Sequence, residues 1–264
     1  MVSEFAQHHY WAVILGGSSG LGLAAAQKLA GHGMHLCIVH RDAGVEMEKI
    51  NAAFNDLRIT GVQVITFNAS IVNEEKRNEI LEELRQHMGS QGRVRCLLHS
   101  VAKGTLKTMG ADDDALQTDD IMLTIEHMAV SLYSWTQALL AAQLFAMDAR
   151  VLSFTSEGSS RAWKHYAAVS AAKAALEAIT RSMALELAPH GIRANCIQAG
   201  ITDTRSMRMI PGSEQLVEFG QQRNPFQRLT TPEDVADIVY LLCKDEAAWV
   251  NGAVIPVDGG THIS

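Results

Sequence analysis

Seven short apolar runs punctuate the chain: WAVIL (11–15), MHLCIVH (34–40), VQVITF (62–67), VRCLLHS (94–100), RVLSFTS (150–156), IRANCIQA (192–199) and AVIPVD (253–258). Runs of this length and character predict strands buried on both faces. Between them, apolar positions recur every three or four residues, the period of a helix. LGLAAAQKLAGHG (21–33) is the first such stretch, ending at Gly33, and helices follow at 43–57, 73–88, roughly 112–147, 163–188 and 232–243. Strand–helix alternation at this pitch predicts right-handed βαβ units and a parallel sheet covered on both faces. The expected fold is therefore α/β: a Rossmann-type, doubly wound, parallel sheet of about seven strands. No linker, repeat or low-complexity stretch divides the chain, so residues 1–264 are expected to form a single domain. The least regular part is 201–231, rich in Gly, Pro and Arg, and is expected to be a substrate lid.

Composition narrows the function. The chain has 264 residues, 47% hydrophobic and 19% charged, enough for a substantial core. A net charge of −7 argues against a nucleic-acid partner, which would need a basic face. No run of 18 apolar residues occurs, so no membrane span is expected, and the N-terminus lacks the basic start of a signal peptide. A cytoplasmic protein is the expectation. Cys37, Cys96, Cys196 and Cys243 are scattered without C-x-x-C spacing and predict buried free thiols. The eleven histidines make no H-E-x-x-H, and no metal is assigned.

Candidate chemistry begins directly after the first strand, at LGGSSGLG (15–22). Gly16, Gly20 and Gly22 have the spacing G-x-x-x-G-x-G between a strand and a helix, where a dinucleotide pyrophosphate would sit on the helix N-terminus. Gly16, Ser18, Ser19, Gly20, Leu21 and Gly22 are the candidate phosphate cradle. The next strand ends in His40 and Arg41, where an acidic residue would favour NAD. A guanidinium suits a 2′-phosphate, so NADPH is the expected cofactor. The competing reading, with Asp42 beside it, is an Arg41 that is merely solvated.

Together with the pair Tyr166 and Lys173, with CIQAGITDT (196–204) and with TTPEDVADIVYLLC followed by GAVIPVDGG, the glycine loop resembles the short-chain dehydrogenase/reductase family over essentially the whole chain. Most members place the catalytic tyrosine four residues before the lysine, and that slot here holds Val169. Tyr166 instead gives Tyr-x6-Lys, the pattern of the enoyl-acyl-carrier-protein reductase branch, which LLHSVAKG (97–104) also resembles. The intact glycine loop with Arg41 is similar to the NADPH-using subtype of that branch.

The resemblance implies catalytic roles for Tyr166, Lys173 and Ser156, the last as a carbonyl-polarising group or a turn residue. It implies cofactor contacts from Ser70, Ser100, Val101, Ala102, Gly200, Thr202 and Thr204 in addition to the glycine loop, His40, Arg41 and Lys173. The helix asparagine of many members falls at or near Met128. Met207, Met209 and Phe226 are candidates for an acyl channel, and Arg205 and Arg208 for contact with a carrier protein. ALLAAQLFAM (138–147) is a candidate interface helix for a homotetramer or homodimer.

On a helix, seven residues turn through about 700°, so Tyr166 and Lys173 share a face roughly 10 Å apart, against roughly 6 Å for a spacing of four. A phenol displaced in this way suits a carbonyl oxygen three bonds from the carbon that receives hydride, as in an enoyl thioester. The expected activity is NADPH-dependent reduction of an enoyl thioester, with the acyl group possibly on acyl carrier protein. The alternatives are a short-chain carbonyl reductase or alcohol dehydrogenase, and a non-catalytic NADP-binding sensor.

Overall fold

The structure is a computed structural model that describes residues 4–110 and 114–264. β1 (Tyr10–Leu15), α1 (Gly20–Gly31), β2 (His35–His40), α2 (Met47–Ile59), β3 (Val64–Asn68), α3 (Glu74–Met88) and β4 (Arg93–His99) form the first half. In the second half, α4 (Thr118–Ile125) passes through one π-helical turn at Glu126–Val130 into α5 (Ser131–Ala141). β5 (Phe145–Ser156), α6 (Ala167–Glu186), β6 (Ile192–Ala199), α7 (Arg205–Arg208), α8 (Ser213–Arg223), α9 (Pro232–Cys243) and β7 (Val254–Val257) complete it. The sheet order is β3-β2-β1-β4-β5-β6-β7, and every pairing is parallel.

The pleat sends alternate residues of each strand to opposite faces. Ala12, Ile14, Leu36, Ile38 and Leu98 join a core beneath α1, α2 and α9, with Leu29, Phe54 and Val239. Trp11, Val13, Leu15, Cys37, Val39 and Leu97 join the opposite core, with Leu84 of α3, Trp135 of α5 and Leu176 of α6. Two buried faces explain why the strands read as continuous apolar runs. The four cysteines are buried free thiols within these layers. No helix among the described residues is long and apolar enough to cross a membrane.

Three boundaries differ from expectation. The stretch 138–147 is not one helix: α5 ends at Ala141, Gln143 takes a left-handed φ of +56°, and β5 begins at Phe145. Leu144 O accepts from Val94 N at 2.8 Å, which starts the sheet pairing, so the apolar stripe of α5 runs straight into a buried strand without a polar break. The helix expected from about 112 begins at Thr118, and residues 111–113 lie outside the described residues. The helix expected from 163 begins only at Ala167.

Arg95 and Arg150, each 1% exposed, lie side by side on β4 and β5. Arg95 Nε donates to Cys243 O at 2.9 Å and Arg150 Nε to Leu242 O at 2.8 Å, placing two cations on the last carbonyls of α9, where the helix dipole favours them. Asp148 accepts from both and from Arg193. Burial opposes its ionisation, but the hydrogen bond from Arg150 and the charges of Arg150, Arg95 and Arg193 together hold its carboxyl below the ordinary value. Replacing Asp148 by Asn removes the shared anion, leaving Arg150 without a carboxylate and Arg95 with Asp245 alone. The expected loss is about 3 kcal/mol in urea denaturation. A midpoint equal to that of the wild type would show that Asp245 and the backbone carbonyls suffice to hold these cations.

Candidate active site

The chain builds outward from β1 to β3, then returns to lay β4 on the other side of β1. In a parallel sheet this reversal opens a crevice at the carboxyl ends of the two central strands. Gly16 N donates to Val39 O at 2.7 Å, and Ser100 N donates to Leu15 O at 2.8 Å, so the glycine loop leaves between the ends of β2 and β4. Gly16 has φ +88°, and a Cβ there would lie 2.3 Å from Ser100 O. A Cβ on Gly22 would lie 2.2 Å from Gly16 O. The start of α1 is thus packed directly on the loop. No acidic side chain occupies its first turn and Ser19 makes no side-chain cap, so the first helical amides face the crevice without a competing anion. Ser18 and Leu21 are half-buried on this loop and Ser19 is exposed. These residues fit a dinucleotide pyrophosphate.

At the end of β2, the His40 side chain departs from its expected cofactor role. Its ring is buried, edge-on to Phe54, with Nδ1 2.9 Å from Asp42 Oδ2. Arg41 is exposed and makes no ion pair among the described residues, since Asp42 pairs with His40 and Glu46 with Arg205. Asn68, at the end of β3, holds this loop by accepting from Asp42 N and donating to Asp42 O. Only its position at the end of an apolar run hinted at such a role. Ser70 lies half-buried two residues beyond β3, and Val101 lies half-buried just after Ser100.

The candidate catalytic groups gather at the end of β5. Tyr166 is not inside the helix: it is the N-cap of α6, with φ −113°, preceded by His165 at φ +61°. The helical arithmetic for a seven-residue spacing therefore does not place it. Its ring joins Val169, Met128, Ala172 and Leu106 in an apolar cluster and lies against Gly158, where a Cβ would come within 2.6 Å of Tyr166 Cε1. Burial raises the phenol pKa, and nearby Ser156 works against that rise. Ser156 Oγ is buried without a partner at normal hydrogen-bond geometry, leaving it available to a substrate oxygen.

Lys173 is buried on α6 and donates to Phe154 O at 2.6 Å. Burial depresses its pKa to about 8, opposed by Cys196 and Glu177. Glu177 accepts from Thr155 at 2.6 Å. His99 is also fully buried, its pKa depressed to about 3 by burial and then by the charge of Lys173. Ser131 donates to His127 O and so accepts from His99 Nε2 at 2.8 Å, which fixes the proton of His99 on that nitrogen.

Tyr166, Ser156 and Val169 open on a cavity of about 740 Å³ whose far wall is the segment after β6. Ala102, Gly200, Thr202 and Thr204 also line it. Thr202 donates to Gly200 O, and Thr204 caps α7 by accepting from Met207 N while its methyl lies over Gly20. Met207 is buried and lines the cavity, but Met209 and Phe226 are exposed and do not. Arg205 is paired with Glu46, and Arg208 is bidentate to Asp203, so neither is an unengaged cation for a carrier. The polar anchors of the lid were not apparent from sequence: Arg223 reaches Glu157 at 2.8 Å, and Asn224 donates to Asp258 O at 2.8 Å.

Two outcomes follow from this packing. Gly158→Ala is expected to displace the Tyr166 ring and lower kcat by about tenfold or more while leaving cofactor affinity intact; an unchanged kcat would show the ring position to be immaterial. Lys173 has its pKa lowered by folding, so below about pH 8 the folded state carries a burial cost that fades as pH rises from about 8 toward the unfolded value of 10.5. Lys173→Met is therefore expected to raise Tm at pH 7, to raise it less at pH 10, and to abolish turnover. A fall in Tm at pH 7 would contradict this.

Residues 16–262 match a protein family described as Enoyl-(Acyl carrier protein) reductase. The human protein Dehydrogenase/reductase SDR family member 2, mitochondrial, is 30% identical over 253 residues, covering 94% of this chain and 85% of that protein. Enoyl-[acyl-carrier-protein] reductase [NADH] FabI of Bacillus cereus is 26% identical over 95% of this chain and 96% of its own. 3-Oxoacyl-[acyl-carrier-protein] reductase FabG of Pseudomonas aeruginosa is 28% identical over 96% and 97%. Among solved structures, a short-chain dehydrogenase of Burkholderia cenocepacia in complex with NADP superposes with a TM-score of 0.82 at 25% identity, over 97% of this chain and 99% of that one. With a seven-stranded parallel sheet, a glycine loop at its switch point and a nicotinamide-type crevice, the chain belongs to the short-chain dehydrogenase/reductase family of oxidoreductases.

Proposed function

We propose that the protein reduces the carbon–carbon double bond of an enoyl thioester with NADPH, the acyl group being carried on acyl carrier protein. The observation that carries this reading is the exchange of positions around Lys173. Val169, four residues before the lysine, is buried in an apolar cluster, and the phenol comes instead from Tyr166 at the helix N-cap. An acid so displaced suits charge that develops away from the carbon receiving hydride. The nicotinamide cofactor supplies that hydride. The hydride adds to the β-carbon, the π electrons move to the thioester oxygen as an enolate, and a proton then adds to the α-carbon. Tyr166 donates a hydrogen bond to that oxygen, with Ser156 beside it, and Lys173 would hold the ribose hydroxyls of the bound cofactor. The apolar wall of Val169, Met128 and Met207 suits an acyl chain. Arg41, without a carboxylate partner, favours the 2′-phosphorylated cofactor. The likeness to FabG keeps carbonyl reduction as the competing outcome.

Crotonyl thioester is expected to oxidise NADPH, followed by absorbance, and acetoacetyl thioester is not. Oxidation with the keto substrate alone would overturn the proposal. Tyr166→Phe is expected to lower kcat about 100-fold with little change in the Kd for NADPH; full turnover would move the acid to Ser156.

A further inference from the structure

Arg41 is the only cation that sequence placed near the adenosine end of the crevice, but the fold brings a second. Leu15 pairs with Val39 on one side and with His99 on the other, so His40, Gly16 and Ser100 stand in one row. Two strand spacings, roughly 10 Å, separate the outer members of that row. Arg41 leaves one edge of the row, and the loop bearing Lys103 leaves the other, so the two cations flank the glycine loop.

Lys103 is held in place. His127, at the π-helical turn, has Nδ1 2.9 Å from Leu123 O, and a carbonyl can only accept, so the ring proton is on Nδ1. The bare Nε2 then accepts from Lys103 Nζ at 3.2 Å. That acceptor is uncharged, so it orients the ammonium without neutralising it. Neither Lys103 nor Arg41 forms an ion pair with a carboxylate among the described residues. Desolvation and then the charge of Arg41, opposed by Glu126, hold Lys103 below the ordinary lysine pKa, consistent with two like charges in proximity. Two unneutralised cations across a nucleotide crevice, in a chain of net charge −7, are unfavourable until an anion arrives between them.

We infer that Lys103, oriented by neutral His127, is the second cation of the site for the adenosine 2′-phosphate, opposite Arg41. This rests on the NADPH reading above. The test is calorimetric titration of the full chain with 5′-AMP, 5′-ADP and adenosine 2′,5′-bisphosphate at fixed low salt, where charge pairing is least screened. The wild type is expected to prefer the 2′,5′-bisphosphate over 5′-AMP by about tenfold or more. Lys103→Gln is expected to cut that preference about fivefold, and Lys103→Arg to retain it. A preference unchanged in Lys103→Gln but lost in Arg41→Ala would overturn the role of Lys103 and leave the NADPH reading standing. An equal loss for 5′-ADP would place Lys103 on the pyrophosphate and overturn the inference. No preference in the wild type would overturn the NADPH reading along with it.

Discussion

The close approach of α1, the glycine loop and the end of β4 is the constraint on which the molecule depends. Carbonyl oxygens occupy the positions that side chains at Gly16 and Gly22 would need. Only glycine lets the strand turn, reverse into a helix and still lie against Ser100. The small side chains Ala24, Ala25 and Ala26 continue this closeness along α1, bringing its axis near the sheet and α9. The same contact sets the crevice: β4 lies beside β1 at the point where the winding direction changes, and the loops after β2 and β4 are left on either side of it.

The end of the crevice that holds Tyr166, Ser156 and Lys173 is built at the expense of stability. An ammonium is buried with one carbonyl partner, a serine hydroxyl is buried with none, and a tyrosine precedes its helix after a residue of positive φ. Each is unfavourable in itself. The cost is carried by the surrounding core, whose two layers are continuous beneath the whole sheet. The sheet carbonyl of Phe154 holds Lys173, while the cavity wall after β6 is tied by the Arg223–Glu157 ion pair and the buried side chain of Asn224.

Most strands were legible in the sequence because burial on both faces leaves short, largely apolar runs. The end of α5 was not, because Leu139, Leu144 and Phe145 are apolar on both sides of the boundary and only the positive φ of Gln143 separates helix from strand. The glycine loop was legible through its spacing, since sterics leave no other residue for those positions. The inward turn of the His40 ring was not legible, because a histidine facing a crevice and one turned onto Phe54 have the same sequence. The link of Lys103 to His127 joins residues 24 apart across two elements, and no local pattern records it.

Tyr166 shows why spacing alone did not suffice. The number of residues to Lys173 was right, but the position of the phenol comes from the segment between β5 and α6, not from the helix. That segment leans on α8: Glu157 accepts from Arg223, and Trp163 meets Phe219 edge-on at 5.9 Å with Arg161 stacked on both rings. Gly158 then leaves room for the ring of Tyr166 behind them. The phenol and the cavity wall are thus one packed unit set against the sheet, whose Phe154 carbonyl anchors Lys173 of α6. The position of the phenol relative to Lys173 is held by Glu157, Gly158 and Arg223 as much as by the seven-residue interval.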